Sequence, residues 1–237
     1  MAAKAPLDPV ADLHRRLARR PGKATVHRWW IDHGLGAHPA AVGKRIALAL
    51  IEQHGAEDKL AGVLVLHELL ADHLRTADLA SFERLFADGH LGEGAIVDAF
   101  GVQVLGTLLH RVRGRAEVAR ALATWRNADT CWQRRAACAA MTALAPHGDG
   151  ALPGLAQLIF TMCSAIVWSP DRTDQTAVGW LLRELSRGEP TRVEGFVRRH
   201  VRFMSRECCR LAVEKLPAAR AKDVLAHWKR ATSLRRS

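Results

Sequence analysis

The sequence of residues 175–185 is QTAVGWLLREL. Apolar residues recur in it at every third or fourth position, which is the spacing of one buried face of an α-helix. The members of this face are Val178, Leu181, Leu182 and Leu185. Such a face must be covered by a core, so the stretch predicts a helix that packs on one side and is free on the other.

Because successive residues of a helix are rotated by about 100°, Trp180 lies on the free side of this predicted helix. Its neighbours there are Thr176, Arg183 and Arg187, so a large apolar ring is placed among cations. A buried tryptophan is one interpretation. An exposed aromatic residue flanked by arginines is better suited to a nucleic-acid backbone or an unstacked base, and this is the hypothesis we prefer.

Helical apolar faces of the same kind recur along the whole chain, whereas the alternation typical of half-buried strands is missing. Short segments rich in glycine, proline, asparagine or aspartate separate them. The sequence therefore predicts an all-α protein. The predicted helices cover residues 9–19, 24–32, 38–53, 57–74, 77–88, 94–112, 115–127, 130–145, 151–166, 173–187, 190–201, 205–215 and 218–230.

The predicted helices fall into pairs, and the second helices of the pairs recur at intervals close to the period of two-helix solenoid repeats. These second helices begin near Asp58, Gly94, Thr130, Asp174 and Ser205. One repeat cannot bury its own apolar face. We therefore expect a single repeat domain over residues 1–237, with a repeat core at about 10–230 and a concave surface.

The whole chain has a net charge of +11, and the positive charge is concentrated in its second half. Residues 111–237 carry 23 lysines and arginines against 11 acidic residues, whereas residues 1–110 carry 12 against 13. A basic half joined to a neutral half indicates one polyanion-binding surface. The alternative is a solvated surface that is merely rich in arginine.

The five cysteines are typical of small buried side chains in a reducing compartment, because their number is odd and no C-x-x-C pair occurs. The N-terminal residues lack the apolar core of a secretory leader, and no run of about 18 apolar residues is present. We therefore expect a cytoplasmic monomer that does not contact a membrane.

Phosphate-loop, dinucleotide-binding and zinc-protease motifs are missing from the sequence. The 12 histidines show no metal-ligand spacing with the cysteines. No cofactor or metal is expected.

Asp98 is the single charged residue within residues 94–109. Its neighbours on the predicted helix are apolar, beginning with Val102, and a carboxylate removed from water costs several kcal/mol unless it is paired. Arg135, which points with Trp132 away from the apolar face of the next second helix, is a suitable partner. The pair is either a structural salt bridge between repeats or a carboxylate held ready for a developing positive charge.

Four motifs make the chain similar to a known family. They are Q-x-A-x-G-W-x-L-R-E at Gln175–Glu184, S-R-E at Ser205–Glu207, W-x-x-R-A-A at Trp132–Ala137, and V-D at Val97–Asp98 with Leu105 and Gly106 downstream. On these motifs the chain resembles the AlkD-type DNA glycosylases, a DNA alkylation repair family, over roughly residues 10–230. The resemblance implies an all-α, right-handed superhelical solenoid of HEAT-like two-helix repeats.

The resemblance also implies a partner and a reaction. The partner would be double-stranded, alkylated DNA on a basic concave surface, which would associate the protein with the nucleoid. Cationic N3- or N7-alkylated purines would be excised without base flipping, and Asp98 would be the catalytic carboxylate. The cleft residues that contact the lesion would be Arg135, Trp180, Trp132 and Trp29. The predicted phosphate-binding residues are Arg183, Arg187, Arg206, Lys44 and Arg45.

One position departs from the pattern of that family. Where the family has a tryptophan one turn before the catalytic aspartate, this chain has Gly94, so an aromatic ring is missing unless Trp132 or Trp29 supplies it. The departure implies either a changed range of lesions, with room for bulkier adducts, or weak or lost catalysis. Two alternatives stay open: a DNA-binding relative that recognises bent or damaged duplex, and a HEAT-repeat scaffold for another protein.

Overall fold

The computed structural model describes residues 8–110 and 114–233. Helices make up most of this part of the chain, and it contains no β-strand. The all-α class predicted from the apolar periodicity is therefore confirmed. Within the described residues, no helix combines the length and the apolar character that crossing a membrane requires.

Fourteen α-helices follow one another in the described residues, and most of their ends lie within a few residues of the predicted ones. Positions 111 and 112 of the predicted helix 94–112 lie outside the described part. The first seven are α1 (Pro9–Arg19), α2 (Lys23–Asp32), α3 (Ala40–Ile51), α4 (Ala56–Leu64), α5 (Leu79–Ala87), α6 (Gly94–Ala99) and α7 (Gly106–His110). The others are α8 (Arg115–Thr124), α9 (Cys131–Met141), α10 (Leu155–Ile166), α11 (Arg172–Leu185), α12 (Pro190–His200), α13 (Arg206–Val213) and α14 (Ala218–Ser233). The exceptions are α4, which ends within the predicted helix 57–74, and α6 and α7, which are separate parts of the predicted helix 94–112.

Capping side chains explain where three of these helices begin. The hydroxyl of Thr130 accepts a hydrogen bond from the backbone N–H of residue 133 at the start of α9. Asp171 and Ser205 do the same for the first turns of α11 and α13. Each cap satisfies a backbone donor that has no partner within its helix, which fixes the helix start.

Two π-helical segments, Val65–Leu69 and Phe100–Leu105, interrupt helices that the periodicity predicts as continuous. A π-helix closes its hydrogen bonds over five residues rather than four, so side-chain directions beyond Phe100 no longer follow a period of 3.6. Val102 is consequently exposed. The expectation that Val102 belongs to an apolar flank around Asp98 is wrong for this reason.

The second helices of the pairs pack against one another in sequence order. Helix α4 contacts α6, α6 and the following π segment contact α9, α9 contacts α11, and α11 contacts α13. We name these helices, α4, α6, α9, α11 and α13, the second-helix layer. Their successive stacking, with the first helices of the pairs alongside, gives the solenoid-like architecture expected from the repeat spacing.

Ion pairs between first turns show that the helices of this layer run parallel. Arg134 on α9 binds Asp174 on α11 through Nε–Oδ1 and Nη2–Oδ2 distances of 2.9 and 2.6 Å. Arg172 on α11 binds Glu207 on α13 through two contacts of 2.8 Å. Since both partners lie in the first turn of their helix, the N-terminal ends of these helices share one edge of the layer.

Gln175 links two turns at this edge with a single buried side chain. Its Nε2 lies 2.7, 2.9 and 3.0 Å from the carbonyl oxygens of Val167, Ser169 and Phe203, and its Oε1 accepts from the N–H of Ser205 at 2.8 Å. The turn before α11 is thereby joined to the turn before α13.

A continuous cluster of buried apolar side chains extends from Leu13 to Val224. Four of the five cysteines belong to it, and none of the five forms a disulfide. Burial raises the pKa of the Cys138 thiol to about 12, so this thiol stays protonated at neutral pH. The interpretation of the cysteines as small buried side chains is confirmed for all but Cys131, which is half-buried.

Gly179 allows α11 and α13 to approach closely. A Cβ atom at this position would lie 2.8 Å from the carbonyl oxygen of Cys208 and 2.9 Å from Cβ of Leu211. Both distances are shorter than van der Waals contact, and one of the opposing atoms is backbone. The glycine in the G-W pair of residues 179 and 180 is therefore required by helix packing.

Gly179→Ala is expected to lower the free energy of unfolding by about 1–3 kcal/mol through overpacking, measured by urea denaturation. Gly195→Ala on α12 is the matched control, because a Cβ there meets nothing within 4 Å. The control should gain up to about 1 kcal/mol from helix propensity. Equal losses in both variants would contradict the packing argument.

Candidate nucleic-acid interface

A cleft of about 490 Å³ crosses the second-helix layer and is lined by side chains of α6, α9, α11 and α13. Its central residues are Gly94, Asp98, Trp132, Arg135, Thr176 and Trp180. Four of the residues predicted from sequence as a site, on three different helices, therefore lie around one cleft. The fifth predicted cleft residue, Trp29, is elsewhere.

Asp98 and Arg135 form a bidentate ion pair inside this cleft. Nε and Nη2 of Arg135 each lie 2.7 Å from one carboxylate oxygen of Asp98. The Asp98 side chain keeps 30 % of its surface exposed, against 17 % for Arg135. The Asp98 side chain is thus the more exposed member of the pair, and both side chains line the cleft.

Thr176 completes the fixation of Arg135. Its hydroxyl oxygen accepts from Nη1 of Arg135 at 2.9 Å and donates to the carbonyl oxygen of Arg172. All three nitrogens of the guanidinium are therefore bound, two to Asp98 and one to α11. A guanidinium held at three points orients the carboxylate rigidly.

Trp132 supplies an aromatic ring beside Gly94. A Cβ atom added at Gly94 would lie 3.8 Å from Cζ3 of Trp132, and one added at Gly92 would lie 3.8 Å from its Nε1. The indole from α9 thus covers the glycine-containing segment at the start of α6. Of the two residues expected to replace the missing tryptophan, Trp132 and Trp29, only Trp132 lines the cleft. Trp180, which is half-buried, also lines it.

Trp29 does not line the cleft, and its assignment to it is wrong. The Trp29 side chain is 0 % exposed, and its Nε1 donates to the carbonyl oxygen of Pro9 at 3.0 Å. Helix α1 covers this face of α2, and the indole packs beside Trp30 and His33. Trp30 is also buried, so the N-terminal tryptophan pair belongs to the core.

Two of the predicted phosphate-binding arginines are engaged by carboxylates. Nε of Arg183 lies 2.9 Å from Glu184 Oε1, and Nη1 lies 3.6 Å from Glu214. Arg187 lies 3.5 Å from the second oxygen of Glu184. To bind a phosphate, each of these two arginines must either contact the phosphate in addition to its carboxylate or break the ion pair.

Arg206 and Arg210 are the better placed cations. Both are exposed on α13, in a groove that shares Glu207 and Leu211 with the cleft. Within the described residues neither has a carboxylate partner. Arg206 was among the predicted phosphate-binding residues, whereas Arg210 was missed, although its spacing of four from Arg206 places both on one helix face.

Lys44 and Arg45 lie on α3, a helix that contributes no residue to the cleft. Nζ of Lys44 lies 2.6 Å from Asp78 in a largely buried ion pair. Phosphate binding by Lys44 would compete with Asp78 for the same ammonium group and stays a prediction. Arg45 is exposed, but it lies on the same remote helix.

Glu207 is a second carboxylate of the cleft, on its rim. The side chains of Arg172 and Glu207 are 82 % and 44 % exposed, and the hydrogen bond from Arg172 lowers the pKa of Glu207. The S-R-E motif contains this residue, yet its partner lies 35 positions earlier in the chain. Spacing within one helix cannot reveal such a pair.

No group of three or more His, Cys, Asp or Glu side chains in residues 8–110 and 114–233 is arranged to hold a metal ion. The lining of the cleft supplies carboxylates, arginines and indoles.

The chain matches a family model described as DNA alkylation repair enzyme over residues 23–216. No curated protein and no solved structure gives a significant match. The matched range extends from α2 through α13, and it contains every cleft residue named above.

Proposed function

This chain belongs to the DNA alkylation repair enzyme family, and from that premise we propose that it is a DNA glycosylase for cationic N3- or N7-alkylated purines in double-stranded DNA. The observation that carries the proposal is the carboxylate of Asp98. It is held by Arg135 and is partly exposed in a cleft whose lining includes Trp132 and Trp180.

The proposed reaction breaks the bond between C1′ of the deoxyribose and the purine nitrogen. An alkylated purine of this class carries a positive charge, so the bond electrons neutralise it and it leaves without a general acid. The remaining sugar is an oxocarbenium-like cation. A water molecule adds to C1′ and loses a proton, which leaves a neutral purine and an abasic site.

Asp98 is placed to stabilise the positive sugar electrostatically, and it can also orient the attacking water. Both carboxylate oxygens accept from Arg135, and each keeps a further lone pair for a water or for the sugar. Arg135 and Thr176 act as positioning residues, since they fix the carboxylate before the substrate arrives.

The indoles of Trp132 and Trp180 supply apolar surface to the cleft that contains the carboxylate. We propose that Trp180 and Trp132 pack against the distorted DNA backbone beside the lesion, in line with the stacking of aromatic side chains on nucleotides. The cleft lies at the protein surface between helices, so the base is not required to enter an enclosed pocket. This supports excision without base flipping and tolerance of bulky adducts.

Single-turnover release of 7-methylguanine and 3-methyladenine from methylated duplex DNA tests the proposal. With protein in excess over DNA, release above the spontaneous rate is expected. A duplex with a bulkier N7 or N3 adduct should be run in parallel, because the Gly94 segment is covered only by Trp132. No release from any of these duplexes would refute the glycosylase.

A DNA-binding relative without glycosylase activity is the second candidate. It is favoured by the bidentate contact of Arg135 with Asp98, which is also the geometry of a purely structural salt bridge. The same duplexes separate the two functions: tight binding of damaged DNA without base release would establish the binding protein.

DNA affinity is expected to fall linearly with salt on a double-logarithmic plot, since neutralised phosphates release counterions. The double variant Arg206→Ala/Arg210→Ala should reduce this slope by about 2, roughly one for each lost phosphate contact. Arg84→Ala on α5, exposed but remote from the cleft, should leave the slope unchanged. Fluorescence anisotropy at several salt concentrations measures it, and an unaltered slope in the double variant would remove these arginines from the interface.

A further inference from the structure

Trp168 is 60 % exposed and lies outside the cleft, in the turn between α10 and α11. Its ring lies against that of Phe203, in the turn between α12 and α13, with ring centroids 3.6 Å apart and ring planes tilted by 35°. Most of the indole therefore faces solvent while its other face is supported by a second aromatic ring. We name these two side chains the edge aromatic pair.

The turns that carry this pair are fixed. The side chain of Gln175 donates hydrogen bonds to the carbonyl oxygens of Val167 and Phe203. Val167 is the residue before Trp168, and Phe203 carries the ring that Trp168 contacts. Gln175 also accepts from the N–H of Ser205. The edge aromatic pair is consequently preorganised, and a ligand that packs on it has little ordering of these turns to oppose it.

The edge aromatic pair is close in sequence to residues of the cleft and to Arg206. Arg172 and Thr173, which line the cleft, follow Trp168 by four and five residues in the chain. Phe203 precedes the exposed Arg206, which has no carboxylate partner in the described residues. The N-terminal ends of α11 and α13 lie at the same edge, and helix N-termini favour anions.

We propose that the edge aromatic pair is a second DNA contact, on the flank of the duplex whose damaged position lies at the cleft. The indole of Trp168 packs on the deoxyribose and base of a flanking nucleotide, and Arg206 binds a phosphate of the same strand. The inference rests on the proposed function in one respect, that duplex DNA occupies the cleft.

Charge favours DNA over a protein as the occupant of this edge. The residues that follow Trp168 in the chain are Ser169, Pro170, Asp171 and Arg172, so the exposed apolar surface at this turn is limited to the aromatic pair. A protein interface requires a broader apolar centre. An isolated exposed indole with an arginine such as Arg206 nearby in the chain is instead typical of surfaces that pack on nucleotides.

Equilibrium binding of unmodified duplexes and of duplexes with an abasic site tests the contact, because it requires no base release. Trp168→Ala is expected to raise Kd about tenfold, within the range found when a stacking aromatic residue is removed. Trp168→Phe should retain most of the affinity. Ile31→Ala on α2 is the matched control, since Ile31 is another exposed apolar side chain, and it should bind like the wild type.

Shortening the duplex locates the contact. With the abasic site at the cleft, DNA is removed stepwise from one side and then from the other. The penalty of Trp168→Ala should disappear when one particular flank is removed and should persist when the other is. In the wild-type protein, DNA should also protect an exposed tryptophan from acrylamide quenching, and Trp168→Phe should lack that protected component.

Unchanged DNA affinity in Trp168→Ala with an unchanged melting temperature would overturn the proposal and make this edge a candidate for another partner. A penalty that is independent of duplex length would also overturn it, since it would reflect altered folding. If base release fails in every duplex but the flank-dependent penalty is present, the glycosylase is refuted and the second DNA contact stands.

Discussion

Asp98→Asn is expected to reduce single-turnover base release by about 10²–10³-fold, the effect typical of removing one preorganised electrostatic contact from a transition state. The amide is nearly isosteric with the carboxylate but carries no negative charge. It therefore loses the attraction for the oxocarbenium-like sugar. Duplex affinity should stay equal or rise, because a negative charge near the phosphates has been removed.

Glu207→Gln is the matched control for this experiment. It also neutralises a carboxylate of the same cleft, but Glu207 lies on the exposed rim and is bound by Arg172 rather than by Arg135. Its effect on base release should be far smaller. If the two variants lose activity equally, general cleft charge and not the position of Asp98 supports the reaction.

A fall in melting temperature together with the loss of release in Asp98→Asn would indicate a structural role for the ion pair. Arg135 retains its hydrogen bond to Thr176 in that variant and is partly exposed, so a small change in stability is expected. The melting temperature therefore separates the catalytic from the structural interpretation of the same two residues.

Asp174→Ala is expected to lower the free energy of unfolding by about 3 kcal/mol, at the lower end of the range for removing one partner of a buried ion pair. Asp174 is 0 % exposed, and both of its oxygens are bound by Arg134. The variant leaves that guanidinium with only the carbonyl oxygens of Ala128 and Asp129. The lower end applies because the Arg134 side chain is 19 % exposed.

Arg172→Ala provides the comparison for Asp174→Ala. The Arg172–Glu207 pair has the same bidentate chemistry and also joins the first turns of neighbouring helices of the second-helix layer. It differs in being exposed, so solvent screens it and its loss should change stability little. Urea denaturation of both variants measures the difference. Equal losses would show that burial does not govern these pairs.

The fold could be predicted from sequence because every packed helix repeats an apolar face, and because caps such as Thr130 and Ser205 stand where the helices begin. The site could be predicted in part for a related reason. Trp180 and Arg135 lie off the packing faces of their helices, and a side chain in such a position needs another explanation.

What could not be predicted depends on contacts between distant parts of the chain. Periodicity gives no information on hydrogen bonds that span five residues, so the π segment after Asp98 was missed. Burial of Trp29 depends on α1, whose apolar face gives no sign of which helix it covers. Arg134 and Arg135 are adjacent, yet Arg134 binds the buried carboxylate of Asp174 and Arg135 binds the carboxylate of Asp98 in the cleft. Which arginine binds which carboxylate depends on how three helices pack together.

The side chain of Gln175 has a consequence for how the protein can tolerate changes in chain length. The turns at residues 167–171 and 201–205 are tied to each other through one amide, so an insertion in either turn moves its carbonyl groups out of register with that amide. Neither turn can therefore lengthen alone.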